Sequence, residues 1–511
     1  MNKDLNPILK MDYPDPDVIR VDDTYYMAST TMHFFPGCAI LRSYDLVYWE
    51  LLSYVYERLD STKGQCLDGN NSIYGQGMWA PSLRYHKGTF YICFVANDTH
   101  KTYLYTAKQP EGPWKKSERE GFYHDCSLLF DEDDRVYIVY GNTEIHLTEL
   151  KADLSGPLSG GLDRIIVREQ DNQYLGYEGS HMYKIDGKYY VFFIHSLEDR
   201  WMRVEACFAS ESLDGEFRGG DIFEDTLSYC GQGVAQGGLV DTPWGDWYAV
   251  LFQDRGAVGR IPVLIPMRFE DGFPVIGENG HMPKEITVKS TRPDHVYAPL
   301  YESDAFDYSV GQNGKAELKK VWQFNHEPDD ALWEMKEQSF RIRTGKLCGN
   351  LLQAKNTLTQ RLLFPKCRIE VTLDIRNLND GDVAGLCALQ SCYGMIAVKK
   401  EQDKVFLVMG ARETEDESME PMEEDYGPCT EYEKIPLASQ SIRLFLEADF
   451  LQMKDLVVFG YMRDGKSIRA GKEHKLYFKL DHFCGCRAGL FMFSTKQTGG
   501  TAIFSDFEYV V

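Results

Sequence analysis

The chain has 511 residues, with 78 acidic against 55 basic side chains and a net charge of −23, a surface that repels phosphate backbones and excludes nucleic acid as a partner. That length holds at least two domains, and no run of about 18 apolar residues occurs, so no membrane span is expected. The 13 cysteines are scattered without a CxxC pair, and Met1-Asn-Lys-Asp-Leu-Asn-Pro7 lacks the basic-then-apolar pattern of a secretion signal; both features lead us to expect a reduced, cytoplasmic protein without disulfide scaffolding.

Five times along the first half a short apolar run leads through a polar turn into an aromatic pair. The copies run from Asp15 to Tyr26, Ala80 to Tyr91, Asp125 to Tyr137, Glu178 to Tyr190 and Gln236 to Tyr248, starting at intervals of 45 to 65 residues. Each predicts a β-hairpin, and five in series predict blades around an axis. The 31 Tyr, 28 Phe and 8 Trp suit such a fold and suit sugar-stacking surfaces. The repeats fill residues 1–290. The stretch from Lys284 to Leu300 lacks the phrase and carries Pro293 and Pro299; residues 291–302 are read as a connection. Over 303–511 alternating strands are predicted at 367–375, 441–448, 487–494 and 502–509, which is the pattern of a two-sheet β-sandwich. Glu413 to Asp425 holds eight acidic residues and reads as a solvated loop rather than a calcium site. The 12 histidines are dispersed, with no zinc-site spacing. The fold class is therefore all-β, a five-bladed propeller followed by a sandwich.

Equivalent positions of propeller blades converge on the channel. Three of the five opening positions hold carboxylates: Asp15, Asp125 and Glu178. Glycosidic hydrolysis needs one carboxyl protonated and another ionised, and a third can keep the acid protonated by repulsion. Each carboxylate alone is more commonly a turn or surface residue; their shared phase in the repeat points to chemistry. Pro14 and Pro16 stiffen the backbone at Asp15. Trp79 precedes the equivalent position of the second repeat and could stack on a sugar, or fill a blade core. Phe34 and Phe35 offer an apolar wall. Arg260, after the fifth hairpin, offers a guanidinium to sugar hydroxyls or to a carboxylate.

These motifs resemble glycoside hydrolase family 43. The resemblance rests on Asn6-Pro-Ile-Leu9, Tyr13-Pro-Asp-Pro16, Phe35-Pro-Gly37, Ser43-Tyr-Asp-Leu-Val-Tyr-Trp49, Trp79-Ala-Pro81, Asp125-Cys-Ser-Leu128, Tyr177-Glu-Gly179 and Leu239-Val-Asp-Thr242. It implies a five-bladed propeller that inverts anomeric configuration, with Asp15 as general base, Asp125 as the carboxylate that tunes and orients, Glu178 as general acid and Arg260 as a sugar contact. Ser303-Asp-Ala-Phe-Asp307 and the stretch from Trp322 to Asp329 resemble the concanavalin A-like sandwich of the family's β-xylosidases, which narrows the pocket mouth and favours exo-cleavage. Gln236 stands where many members place an axial histidine that binds calcium through water or contacts the sugar. The Gln236 amide can hydrogen-bond a sugar or a water but is not an imidazole, so a structural calcium is possible but not indicated, and no cofactor is required. The expected substrate is a short xylan- or arabinan-derived oligosaccharide, with β-xylosidase as the leading activity, α-L-arabinofuranosidase as the alternative and a non-catalytic sugar-binding propeller as the reading from another class. The oligomeric state is open, a homo-oligomer included.

Overall fold

The computed structural model describes residues 5–169, 172–309, 316–423 and 425–511. Each repeated phrase forms the first two strands of a four-stranded antiparallel sheet. Blade I comprises Asp17–Val21, Thr24–Ser29, Gly37–Ser43 and Glu50–Tyr56; blade II comprises Met78–His86, Thr89–Ala96, Lys101–Ala107 and Lys115–Arg119. Blade III is Ser127–Phe130, Val136–Asn142, Glu144–Leu150 and Asp163–Arg168; blade IV is Glu178–Ile185, Lys188–Ser196, Arg203–Ser210 and Arg218–Phe223. Blade V is Val234–Asp241, Trp247–Asp254, Arg260–Glu270 and Phe273–Ile276. The second strands are buried on both faces, as at Lys188–Ser196, because neighbouring blades cover each side. The outermost strand of blade II, Lys115–Arg119, is polar and partly exposed, which protects that free edge from pairing with another chain.

The first strands of successive blades lie side by side, and that of blade I meets that of blade V. Apolar clusters fill the gaps between neighbouring blades, for example Ile40, Phe90, Phe94 and Tyr105 between blades I and II, and the one between blades V and I runs on into the sandwich core. Among the described residues no strand is exchanged to close the ring. The N-terminal segment clamps it instead: Asn6 Nδ2 donates to the Leu264 carbonyl at 2.7 Å and Asn6 Oδ1 accepts from the Leu264 N–H at 2.8 Å. The Gly238 N–H also donates to the Pro16 carbonyl at 2.9 Å. At the centre, Arg84 of blade II donates to Asp17 of blade I at 2.7 Å and to Ser127 Oγ of blade III at 2.7 Å. His181 of blade IV approaches the other Asp17 oxygen at 3.3 Å. Asp17 is fully buried, and Arg84 and His181 outweigh that burial to hold its carboxyl below the usual range.

The predicted sandwich strands form at Lys366–Asp374, Ser441–Asp449, Arg487–Ser494 and Thr501–Val510. Lys366–Asp374 alternates buried and exposed, as one open sheet face requires. Asp382–Leu389 and Arg487–Ser494 are buried throughout, because their eight-stranded sheet lies between the other sheet and the propeller. One strand of that sheet comes from the propeller chain: Phe34–Phe35 pairs with Gln323–Asn325. Among the described residues of 412–429 no strand forms before Thr430, and Lys479 reaches in to Asp416 at 3.1 Å.

Candidate active site

Asp15, Asp125 and Glu178, from blades I, III and IV, line one cavity of about 190 Å³. The repeat aims them there through a shared backbone device. Asp15, Ala80, Asp125 and Gln236 all adopt positive φ, at 52°, 22°, 48° and 54°. In blade IV the kink falls one residue later, on Gly179 at 64°, where a Cβ would lie 2.5 Å from the Gln236 side chain. Bulges accompany the kink at Trp79/Ser82, Glu178/His181 and Ala235/Gly237. A bulge adds a residue and re-aims a side chain.

Asp15 is 3% exposed. Its Oδ1 accepts from Arg260 at 2.7 Å and its Oδ2 from Thr30 Oγ1 at 2.6 Å, so both oxygens are fixed. Arg260 also lies 3.5 Å from Asp254, and Arg203 donates to the same Asp254 at 2.6 Å. The Arg260 guanidinium is packed between Phe252 and Phe483, 4.7 and 4.1 Å from the ring centres. Asp125 Oδ2 accepts from the Gly179 N–H at 3.2 Å. Burial pushes the Asp125 carboxyl up to about 6; Glu178 and Asp15 add to this, and His124 opposes it. Glu178 Oε2 accepts from Asn142 Nδ2 at 2.6 Å. Burial raises the Glu178 carboxyl, but His124, Arg203 and Arg260 outweigh it and hold the group below its ordinary range. Two crowded carboxyls of this kind titrate as a pair.

Trp79 and Trp201 also line the cavity, and each indole N–H is buried without a protein acceptor. A buried donor of this kind is ready for a sugar hydroxyl. Gln236 lines the wall, its backbone N–H donating to the buried Glu205 at 2.7 Å. Phe34 does not line the cavity. Its strand joins the sandwich sheet, its ring is fully buried against Leu351 and Phe491, and the Arg487 guanidinium lies 4.0 Å above it. The apolar wall comes instead from Leu480 and Phe483 of the sandwich. Their turn sits tightly on the propeller: Cys486 donates to the Ala257 carbonyl at 2.7 Å, and a Cβ on Gly485 would lie 2.3 Å from the Val258 carbonyl oxygen.

Sequence reasoning missed His124, Asn142, Leu175, Trp201, Arg203, Leu480 and Phe483. Arg203 was detectable, since it opens the third strand of blade IV as Arg260 opens that of blade V. His124, Asp125 and Glu178 place donor atoms within 4.8 Å of one another, a crowding that proton-transfer chemistry uses directly.

The sequence model of glycosyl hydrolases family 43 matches residues 5–274, and that of the beta xylosidase C-terminal concanavalin A-like domain matches residues 313–510. A beta-xylosidase of Formosa agariphila is 26% identical over 99% of this chain and 90% of its own length. A non-reducing end alpha-L-arabinofuranosidase of Bacteroides ovatus is 28% identical over 66% of this chain and 64% of its own length. Among solved structures, a bifunctional GH43-CE protein of Bacteroides eggerthii superposes with a TM-score of 0.88 at 40% identity over 99% of this chain; the chain spans 63% of that protein. An engineered GH43 enzyme, described as both an endo-xylanase and an exo-arabinofuranosidase, superposes with a TM-score of 0.84 at 27% identity over 99% of both chains.

Proposed function

The chain belongs to glycosyl hydrolase family 43, and from that membership we propose an inverting exo-acting β-xylosidase that releases xylose from the ends of short oligosaccharides. The observation that carries the reading is the convergence of Asp15, Asp125 and Glu178 on one small cavity walled on one side by the sandwich. In this reading Asp15, fixed through both oxygens, deprotonates a water that attacks the anomeric carbon. Glu178 gives its proton to the leaving glycosidic oxygen, and Asp125, whose carboxyl is held the higher of the two, is the neighbour with which Glu178 shares that proton. Arg260 holds one Asp15 oxygen in place and presents its guanidinium to sugar hydroxyls. The indole N–H groups of Trp79 and Trp201 supply further donors. The steps are proton transfers between side chains, water and sugar, and require no cofactor.

A cavity of about 190 Å³ suits a single sugar ring rather than a long chain, which supports exo-action. An α-L-arabinofuranosidase is the second reading, favoured by the names of relatives such as the Bacteroides ovatus enzyme. Nitrophenyl β-xyloside and nitrophenyl α-L-arabinofuranoside, assayed side by side, decide between them. Stereochemistry tests the mechanism. Proton NMR of the first product from a β-xyloside, recorded before mutarotation, should show α-xylose; initial β-xylose would rule out the assigned roles.

A further inference from the structure

His124 stands between the two carboxyls that must divide a proton. Its Nε2 is 3.8 Å from Asp125 Oδ1 and 3.9 Å from Glu178 Oε2. The backbone is pinned by the Gly141 N–H, which donates to the His124 carbonyl at 2.9 Å. The ring lies tilted against Trp79, with centres 5.9 Å apart, and the side chain keeps 22% of its surface exposed. The other cations of the pocket are engaged elsewhere. Arg260 pairs with Asp15 at 2.7 Å, and Arg203 pairs with Asp254 at 2.6 Å. His124 is thus the one cation-forming side chain among the described residues within 4 Å of both Asp125 and Glu178.

We propose that His124 is a positioning residue of this site: an imidazole set between Asp125 and Glu178, about equally far from both, that sets the pH range over which Glu178 holds its proton. The proposal rests on the reading of Glu178 as the acid. The groups facing His124 are few. Asp125 is its chain neighbour, Glu178 comes from blade IV, and the uncharged Trp79 comes from blade II. Arg203 and Arg260 act on Glu178, and Asp15 acts on Asp125. Asp125 foremost, then Glu178, push the His124 imidazole up to about 9 against the effect of burial. The charge so held favours ionised Glu178, which makes that residue a stronger acid and draws the alkaline edge of activity to lower pH. Asp125 works in the opposite sense, because its negative charge favours protonated Glu178. The pair of opposed neighbours sets the pH range in which Glu178 still holds a proton.

Two measurements on the full chain test this. In histidine-labelled protein the imidazole resonance of His124, identified by its loss in His124→Gln, should titrate near pH 9 and fall toward the ordinary value in Asp125→Asn. Titration of the wild-type signal near the ordinary histidine value of about 6.5 overturns the proposal without reference to activity. In kcat/KM profiles on xylobiose, His124→Gln and His124→Phe should both move the alkaline limb upward by about one pH unit or more, the effect of removing one opposite charge at this range. A limb unmoved in both variants, or displaced to lower pH, also overturns it, and so does a Phe variant that behaves as wild type, since a ring packed on Trp79 would then suffice. Failure of the acid assignment shows differently: Glu178→Ala would lose aryl xyloside and xylobiose activity alike, while the His124 resonance would still titrate high.

Discussion

Replacing Glu178, the proposed proton donor, with alanine leaves the proposed base Asp15 and its partners untouched, and the consequence depends on the leaving group. A nitrophenolate departs without a proton; a sugar alkoxide does not. General acids contribute on the order of 10²–10⁴-fold, or about 2.7–5.4 kcal/mol at 1.36 kcal/mol per tenfold. Glu178→Ala should lose that much on xylobiose and less than about tenfold on nitrophenyl xyloside. The structure separates this loss from unfolding. The hydrogen bond that Glu178 gives up is from Asn142 at 2.6 Å, and among the described residues no arginine is paired with it. Its removal should cost only about 1–3 kcal/mol of stability. Asp15→Ala is a different perturbation, for it strands the buried Arg260 guanidinium now held at 2.7 Å. Breaking a buried pair from one side costs about 3–5 kcal/mol. Asp15→Asn keeps one acceptor oxygen for Arg260, and its Nδ2 can donate to Thr30 Oγ1, so it is the cleaner kinetic probe. It should abolish both activities about equally, because both substrates need the activated water. Initial rates on the two substrates, with melting temperatures alongside, check the set. Equal losses in Glu178→Ala together with an active Asp15→Asn would refute the assignment.

Phe483→Ala removes the sandwich's aromatic wall, where the ring lies under Arg260 at 4.1 Å and edge-on to Trp79 at 5.5 Å. The product spectrum on polymeric xylan should broaden beyond xylose, and stability should fall by about 3–5 kcal/mol; a stable variant that still releases only xylose, with unchanged KM, argues against a sandwich role at the pocket mouth. Arg84→Met leaves Asp17 buried without its 2.7 Å partner and should lower stability by about 3–5 kcal/mol in denaturant unfolding, whereas Arg84→Met combined with Asp17→Asn should recover part of that loss. A single variant as stable as wild type would show that this pair does not staple the blades.

The hairpins were legible because each is local: strand, polar turn and strand lie within about a dozen residues, and aromatic, β-branched residues mark them. The carboxylates were legible only through the period of the repeat. Asp15, Asp125 and Glu178 share no local motif, yet they occupy one phase, and a ring converts shared phase into proximity. What escaped was whatever depends on partners remote in the chain. Phe34 sits beside the pocket motifs in sequence, but pairing with Asn325 turns it into the sandwich sheet. Leu480 and Phe483 reach the cavity from more than 460 residues beyond Asp15, and no periodicity announces a turn that docks on another domain. The left-handed kink at Asp15 and Asp125 was equally hidden, since these aspartates look like ordinary turn residues until the kink aims them inward.

The same remote contacts tie the sandwich to the candidate site. Arg361 of the sandwich donates to the Asp12 carbonyl at 2.7 Å and lies 4.2 Å above the Tyr13 ring. Asp12 in turn accepts from the Arg260 N–H at 3.1 Å, and the Tyr13 N–H donates to the Arg260 carbonyl at 3.1 Å. The segment that presents Asp15 is therefore held on one side by blade V and on the other by the sandwich. A base fixed within a few tenths of an ångström must be locked by its supporting shell. Here that shell is assembled from both domains, so displacing the sandwich would loosen Asp15 as well as remove Leu480 and Phe483 from the wall.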